Sequence, residues 1–320
     1  MTTGATAPRP RLPRPQVGAQ PQHVLISLLG DYWPERSEPL PSAALVAIAE
    51  EFGISASSAR AALSRLAHRG LLSLSKSGRN TSYCVTPLAA RMLAEGRQRV
   101  FSFGRNSSAP WDGTWLVVIF SVPEEQREAR YQLRTKLRWL GFGALDDGVW
   151  VSPRHDTEDV VAAFRECGID QVTLLRALPV ELGGVSLRHP LSAWNLDEMA
   201  QAYEQFIRTF DPLLQRVRKG QVNVAEALAE RSAITDSWRA LVGLYPDLPD
   251  DLLPSDWPRR RAYEIFAETY DTLAPLAQFR FGQIISPHAP GIAHLVGYQT
   301  TRTALVDDEQ GPELAEAKAV

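Results

Sequence analysis

Apolar positions recur along this chain at two different spacings, and the change from one to the other predicts its elements. Over residues 23–32, Val24, Leu25, Leu28 and Leu29 fall at helical spacing. Residues 42–52 repeat the pattern with Leu45, Ile48, Ala49 and Phe52, with Ser42 as N-cap candidate and Gly53 as the stop. A third helix over residues 55–69 sets Ala59, Ala62, Leu63 and Leu66 on one stripe, and Ser57, Arg60, Ala61, Ser64 and His68 on the opposite one. Alternation of apolar and polar residues then takes over in residues 71–76. Ser77-Gly-Arg-Asn80 is a turn sequence, and residues 82–85 return as a second strand. Helix, helix, helix, hairpin predicts a winged helix-turn-helix over residues 22–100.

The third helix carries the chemistry. Its outward face offers small residues, hydroxyls and arginine, and residues 53–70 contain no acidic side chain, so the helix can enter a DNA groove without charge repulsion. Arg60 and Arg65 are long enough to reach base edges or phosphates. Ser55, Ser57, Ser58 and Ser64 add shorter hydrogen bonds, and His68 lies on the same face. Lys76, Arg79 and Asn80 at the hairpin tip suit phosphate or minor-groove contact. The competing reading is an ordinary amphipathic surface helix, with the hairpin as a cap on the core. Charge favours nucleic acid: residues 1–105 hold 13 basic and 6 acidic residues, a net of +7, whereas the remainder holds 21 and 31, a net of −10.

Beyond a linker at 101–110, the pattern predicts a strand at 115–120, a helix at 124–140, strands near 141–145 and at 148–151, a helix at 158–168 and a strand at 171–178. That order is β-α-β-β-α-β, a ferredoxin-like middle domain over 111–180. Residues 181–300 read as a helical domain, with helices at 197–218, 225–245 and 260–283. In the first of these, Met199, Tyr203, Phe206, Phe210, Leu213 and Leu214 form the apolar stripe. The proline-rich stretch 246–258 connects the last two helices. Residues 1–21, with five prolines and three arginines, and the acidic segment 301–320 are expected to be disordered. The fold class is α+β and multidomain.

The chain has 320 residues, 44% of them hydrophobic, and a net charge of −3. That length allows two or three domains. No apolar run approaches the roughly 20 residues of a bilayer span, and no signal sequence opens the chain, so a soluble cytoplasmic protein without a membrane partner is expected. Cys84 and Cys167 are single and far apart, which reads as two buried small apolar residues, with neither a disulfide nor a zinc site. Walker, G-x-S-x-G, H-E-x-x-H and dinucleotide-binding patterns are absent. Neither an enzyme nor a cofactor is expected.

Leu28-Leu-Gly-Asp-Tyr32, Ala59-Arg-Ala-Ala-Leu-Ser-Arg-Leu66, Trp111-Asp-Gly-Thr-Trp115, Phe120-Ser-Val-Pro-Glu124, Leu137-Arg-Trp-Leu-Gly-Phe-Gly143, Gly148-Val-Trp-Val-Ser-Pro153 and Leu252-Leu-Pro-Ser-Asp-Trp-Pro258 together resemble the PaaX family of bacterial transcriptional regulators, from about residue 22 to residue 285. The resemblance implies a winged-helix repressor of a catabolic operon, usually for phenylacetate degradation. It implies a middle domain similar to the CRISPR adaptation nuclease and a helical C-terminal domain. It also implies a homodimer released from double-stranded operator DNA by an aryl-CoA thioester such as phenylacetyl-CoA or another acyl-CoA.

Two alternatives follow from the same chain: a metal-dependent nuclease in the middle domain, and a protein-interaction scaffold. The resembled nuclease carries an aspartate at the end of its first strand, where this chain has Ser121, and a hydroxyl does not replace a carboxylate on a hard cation. For an effector, which would need cations beside an aromatic wall, the candidates are Trp257 with Arg259, Arg260 and Arg261, and Arg239 beside Trp238. The opposing reading is that these arginines neutralise Asp250, Asp251 and Asp256, and that the tryptophans are core or interface anchors.

Overall fold

The computed structural model describes residues 20–34, 36–78, 80–105, 110–154, 157–179 and 188–303, with the Ser77 side chain excepted. The expected terminal arm and acidic tail lie almost wholly outside these residues, and Arg79 lies outside them. The described residues form two compact units that are discontinuous in sequence. The first falls within 1–102, 208–240 and 264–320, the second within 103–207 and 241–263.

The first unit begins with α1 (Pro21–Tyr32), a two-residue strand β1 (Leu40–Pro41), α2 (Ser42–Glu51) and α3 (Ala56–His68). The hairpin β2 (Leu72–Ser77) and β3 (Asn80–Val85) and the helix α4 (Pro87–Ser102) follow. The helices and hairpin match the sequence pattern, while β1 and α4 were not legible in it. β1 pairs with β3 through Leu40 opposite Tyr83, giving a three-stranded sheet in the order β1-β3-β2. Because β1 extends to Pro41, α2 starts at Ser42 itself, and the N-cap is Pro41 without a side-chain bond. The cap expected of Ser42 is therefore not made. Phe101 and Ser102 end α4, and Phe101 and Phe103 are buried, so the stretch read as a linker starts with packed aromatics.

In the second unit, β4 (Trp115–Ile119), α5 (Arg127–Trp139), β5 (Gly143–Asp146), β6 (Val149–Ser152), α6 (Thr157–Glu166) and β7 (Thr173–Ala177) follow in the expected order. The residues at Glu124–Gln126, expected to open α5, form a separate 3₁₀ turn. The sheet is antiparallel in the order β5-β6-β4-β7. Leu116, Val118, Phe120 and Trp150 on the strands bury against Leu133 and Leu137 of α5 and Val160 and Phe164 of α6.

Three long helices complete the chain: α7 (Leu196–Arg218), α8 (Val224–Leu244) and α9 (Arg259–Ile285). Each gives one end to each unit, so the C-terminal helices contribute to both. All six residues of the α7 apolar stripe are buried. In the first unit the Trp238 and Phe266 rings stack at 5.1 Å, Phe101 packs on Phe266 and Tyr270, and Trp238 Nε1 donates to the Val100 carbonyl across 2.9 Å. The end of α4 is thus sewn to α8 and α9. Among the described residues, no helix is long and apolar enough to cross a membrane.

Candidate nucleic-acid interface

Helix α3 is specified at both ends by its own sequence. Ser55 caps it: the Ser55 hydroxyl accepts the Ser58 amide at 3.3 Å and lies 3.1 Å from the Ser57 hydroxyl, and it donates to the Ser58 hydroxyl across 3.0 Å. At the other end Gly70 adopts φ +70°, its amide donates to the Ala67 carbonyl, and the Leu71 amide donates to Leu66. This is a glycine-dependent stop in which the carbonyls of Leu66 and Ala67 are bonded by the amides that follow the helix. Between these ends Ala59, Ala62, Leu63 and Leu66 are fully buried against α1 and α2.

The opposite face is open. Ser57, Ser58, Arg60, Ala61, Ser64, Arg65 and His68 are all exposed, as the spacing predicts. Among the described residues, Arg60 and Arg65 have no hydrogen-bond or ion-pair partner, so both guanidinium groups present all their donors outward. The helix carries no acidic residue, and the nearest one at the end of α2, Glu51, is neutralised by Arg280 in a two-pronged pair at 2.7 and 2.9 Å. Lys76 and Asn80 are exposed near the hairpin tip.

The chain carries the PaaX-like protein model at residues 20–88, the PaaX protein central Cas2-like domain at 108–185 and the PaaX-like protein C-terminal domain at 194–282, in that order. The chain belongs to the PaaX family. A relative, the transcriptional repressor PaaX of Escherichia coli strain K12, is 28% identical over 259 residues, which cover 79% of this chain and 80% of the relative. A solved structure, the uncharacterized protein Rv0674 from Mycobacterium tuberculosis, is 22% identical, with a TM-score of 0.48 and coverage of 80% of this chain and 96% of that one.

One family motif quoted from the sequence ends in a packed residue. In Leu28-Leu-Gly-Asp-Tyr32, Tyr32 is buried and its hydroxyl accepts from Arg231 of α8. Arg231 is a buried anchor that was not singled out from the sequence. A signal for it existed: Ala227, Leu228, Arg231, Ile234, Thr235 and Trp238 share one buried stripe of α8, and an arginine on such a stripe demands partners. Arg69, which donates to Gln22 Oε1 across 3.2 Å and ties the end of α3 to α1, was likewise not singled out.

The effector candidates are scattered. Arg259 is 5% exposed and committed to Asp247 Oδ1 (2.7 Å), the Leu248 carbonyl (2.6 Å) and Asp250. Asp247 also receives Arg154 at 2.8 Å, and burial nevertheless pushes its carboxyl pKa up, against the opposing pull of Arg259 and Arg154. Arg260 and Arg261 have interactions of their own, and Trp257 is half-buried, with its ring edge-on to Tyr203. In the first unit Arg239 donates to Ser27 Oγ across 2.9 Å and lies 3.6 Å from Asp236, while Trp238 is fully buried.

Both cysteines are half-buried, which corrects the expectation of buried thiols. Cys84 keeps its proton in contact with backbone oxygens, donating to the Arg36 and Ser37 carbonyls at 3.4 and 3.5 Å, and desolvation raises both thiol pKa values. Ser121 is exposed just beyond β4.

Proposed function

We propose that this chain is a DNA-binding transcriptional repressor, the function carried in the name of its Escherichia coli relative, acting on a catabolic operon of the phenylacetate type. The observation that carries the reading is the exposed, acid-free face of α3 with Arg60 and Arg65 unpartnered among the described residues. In this reading residues 22–100 act as a winged helix-turn-helix, with β2 and β3 as the wing, and 111–180 as a ferredoxin-like domain without nuclease chemistry. Two copies in a homodimer place their α3 helices in successive major grooves about 34 Å apart. Arg60 and Arg65 contact base edges or phosphates, Ser55, Ser57, Ser58, Ser64 and His68 supply shorter contacts, and Lys76, Arg79 and Asn80 hold the backbone.

The test is electrophoretic retardation of DNA from upstream of the chain's own gene, by the full chain, at two salt concentrations. Each phosphate neutralised contributes about 0.9 to the slope of log affinity against log salt, so affinity should fall steeply as salt rises. Absence of retardation, or an affinity indifferent to salt, rules the reading out in favour of a protein-interaction scaffold. Degradation of the same DNA with added magnesium or manganese, lost on Ser121→Ala, would assign nuclease chemistry to the middle domain.

Release from DNA by an aryl-CoA thioester such as phenylacetyl-CoA belongs to the same reading, supported by family membership. Effector binding must favour one dimer state over the other to act at all. A thermal-shift screen of acyl-CoA esters tests it, since a ligand at 100 times its dissociation constant stabilises the native state by about 2.7 kcal/mol.

A further inference from the structure

Within the first unit, a cavity of about 300 Å³ opens between the last turn of α1, the foot of β3 and the first half of α4. It exists because small residues stand where two packed helices would otherwise interdigitate. Gly30 of α1 approaches Leu93 of α4 so closely that a Cβ at Gly30 would lie 3.1 Å from Leu93 Cδ2, and Ala90 and Ala94, one turn apart on α4, leave the space beside that contact unfilled. Leu29 and Trp33, both buried, and Val85 give the wall its apolar character.

The charged residues of the wall are Arg91 and Arg97, both cationic. Arg97 Nη1 donates to the Gly30 carbonyl across 3.0 Å, which pins one corner of its guanidinium to α1 and leaves the other donors free to serve a ligand. Arg91 is exposed, and among the described residues neither arginine has a carboxylate partner. An apolar recess walled by two guanidinium groups that have no carboxylate partner among the described residues has a definite chemical preference. It favours a molecule that is apolar at one end and bears an oxyanion at the other, because planar guanidinium binds carboxylate in paired hydrogen bonds. The volume sits at the lower end of the roughly 300–1,000 Å³ typical of ligand sites, enough for one ring or a short branched chain and not for a whole nucleotide-bearing thioester.

We propose that this cavity is a receptor site for a small apolar carboxylate, with its ring or branched chain against Leu29, Trp33 and Val85 and its carboxylate held by Arg91 and Arg97. The site is distinct from any acyl-CoA site, and its existence does not depend on the chain binding DNA. Its walls belong to the helix that backs α3, the foot of the hairpin and α4, so an occupant favours the arrangement of these elements that it fits best.

Isothermal titration of the full chain with benzoate, 3-phenylpropanoate and 3-methylbutanoate tests the assignment, with 3-phenylpropanamide as the uncharged control. At least one acid should bind, with the amide at least about tenfold weaker than its acid. Arg91→Gln, an exposed position, should lower acid affinity by about tenfold or more without moving the melting temperature, and Ala90→Leu should abolish binding by filling the recess. The proposal is overturned if none of the three acids binds, if the amide binds as well as the acid, or if binding survives Ala90→Leu. It is equally overturned if the coenzyme A thioesters bind there and the free acids do not. A loss of DNA retardation in ligand-free Arg91→Gln, with acid binding unchanged, would assign the arginine to phosphates and end the proposal.

Discussion

Arg231 Nη1 donates to the Tyr32 hydroxyl across 2.8 Å, so a guanidinium that is almost wholly buried holds the last residue of α1. The rest of the guanidinium is occupied as well. Nε donates to the Tyr270 carbonyl at 3.0 Å, Nη2 donates to the Gln299 carbonyl, and its plane lies 3.6 Å from the Tyr270 ring centre. Tyr32 stacks on Phe281 at 5.0 Å, and its own carbonyl accepts the Gly297 amide at 3.0 Å. The helix that backs α3 is therefore fixed to α8, α9 and the segment after them by one charge bonded to three oxygens.

Replacing that charge exposes how much rests on it. Arg231→Met keeps much of the side-chain volume but leaves two carbonyls and a phenol buried without their donor. The expected loss is about 3–5 kcal/mol of unfolding free energy in urea denaturation. Tyr32→Phe removes one partner and keeps the stacked ring, and should cost about 1–2 kcal/mol. Equal effects of the two variants would show that the arginine acts only through Tyr32.

Alkaline pH should unfold the first unit in a defined window. Burial pushes the Tyr32 pKa up from 10.0 to about 12, against the opposing pull of Arg231, and burial raises Tyr270 as well. A phenol whose folded pKa is raised contributes stability that is whole below pH 10 and is lost as pH rises through 12. For Tyr32 that contribution is on the order of 3 kcal/mol. Unfolding free energy followed from pH 9 to 12 should decline across this window, and the decline should be smaller in Tyr32→Phe.

Helix α3 was legible in the sequence because one residue stripe decides both its fold and its face. Ala59, Ala62, Leu63 and Leu66 turn inward, which forces Arg60, Ser64 and Arg65 outward. Helix α4 was not legible for the opposite reason. Only Ala89, Val100 and Phe101 of it are buried, so its apolar signal is weak, and its position is set by tertiary contacts such as the Trp238 bond to Val100. β1 is two residues long and exists through its pairing with β3, which no local pattern announces. The same limit applies to charge. The basic excess of residues 1–105 belongs to sequence, whereas the first unit also contains residues of α7, α8 and α9, and the neutralisation of Glu51 by Arg280 links positions 229 apart.

The stop after α3 is a backbone requirement that a side-chain change isolates. Gly70 has φ +70° and nothing within 4 Å of the point where a Cβ would stand, so Gly70→Ala introduces no clash and the whole penalty is conformational. About 1–2 kcal/mol of destabilisation is expected by thermal or urea unfolding. Gly96, helical and equally open, should respond to the same change with a gain of about 0.5–1 kcal/mol. Opposite signs at two unobstructed glycines would show that the left-handed turn, not space, governs the end of α3.

Arg60→Ala separates reading from folding. The side chain is exposed and unpartnered among the described residues, and alanine is the better helix former, so unfolding free energy should stay within about 0.5 kcal/mol of the parent. A bidentate contact to guanine is worth about 1–3 kcal/mol, a weakening of about 5- to 150-fold that defeats operator retardation at working protein concentrations, and the preference at one base-pair position should relax with it. Lys76→Ala at the hairpin should differ in kind: the proposed function gives Lys76 a phosphate contact, so its loss should weaken all sequences alike and lower the salt slope by about 1. If Arg60→Ala shifted operator DNA as the parent does, the outward stripe of α3 would not be what reads it. If both variants lost affinity uniformly and with equal change of slope, α3 would lie on the backbone and not in the groove.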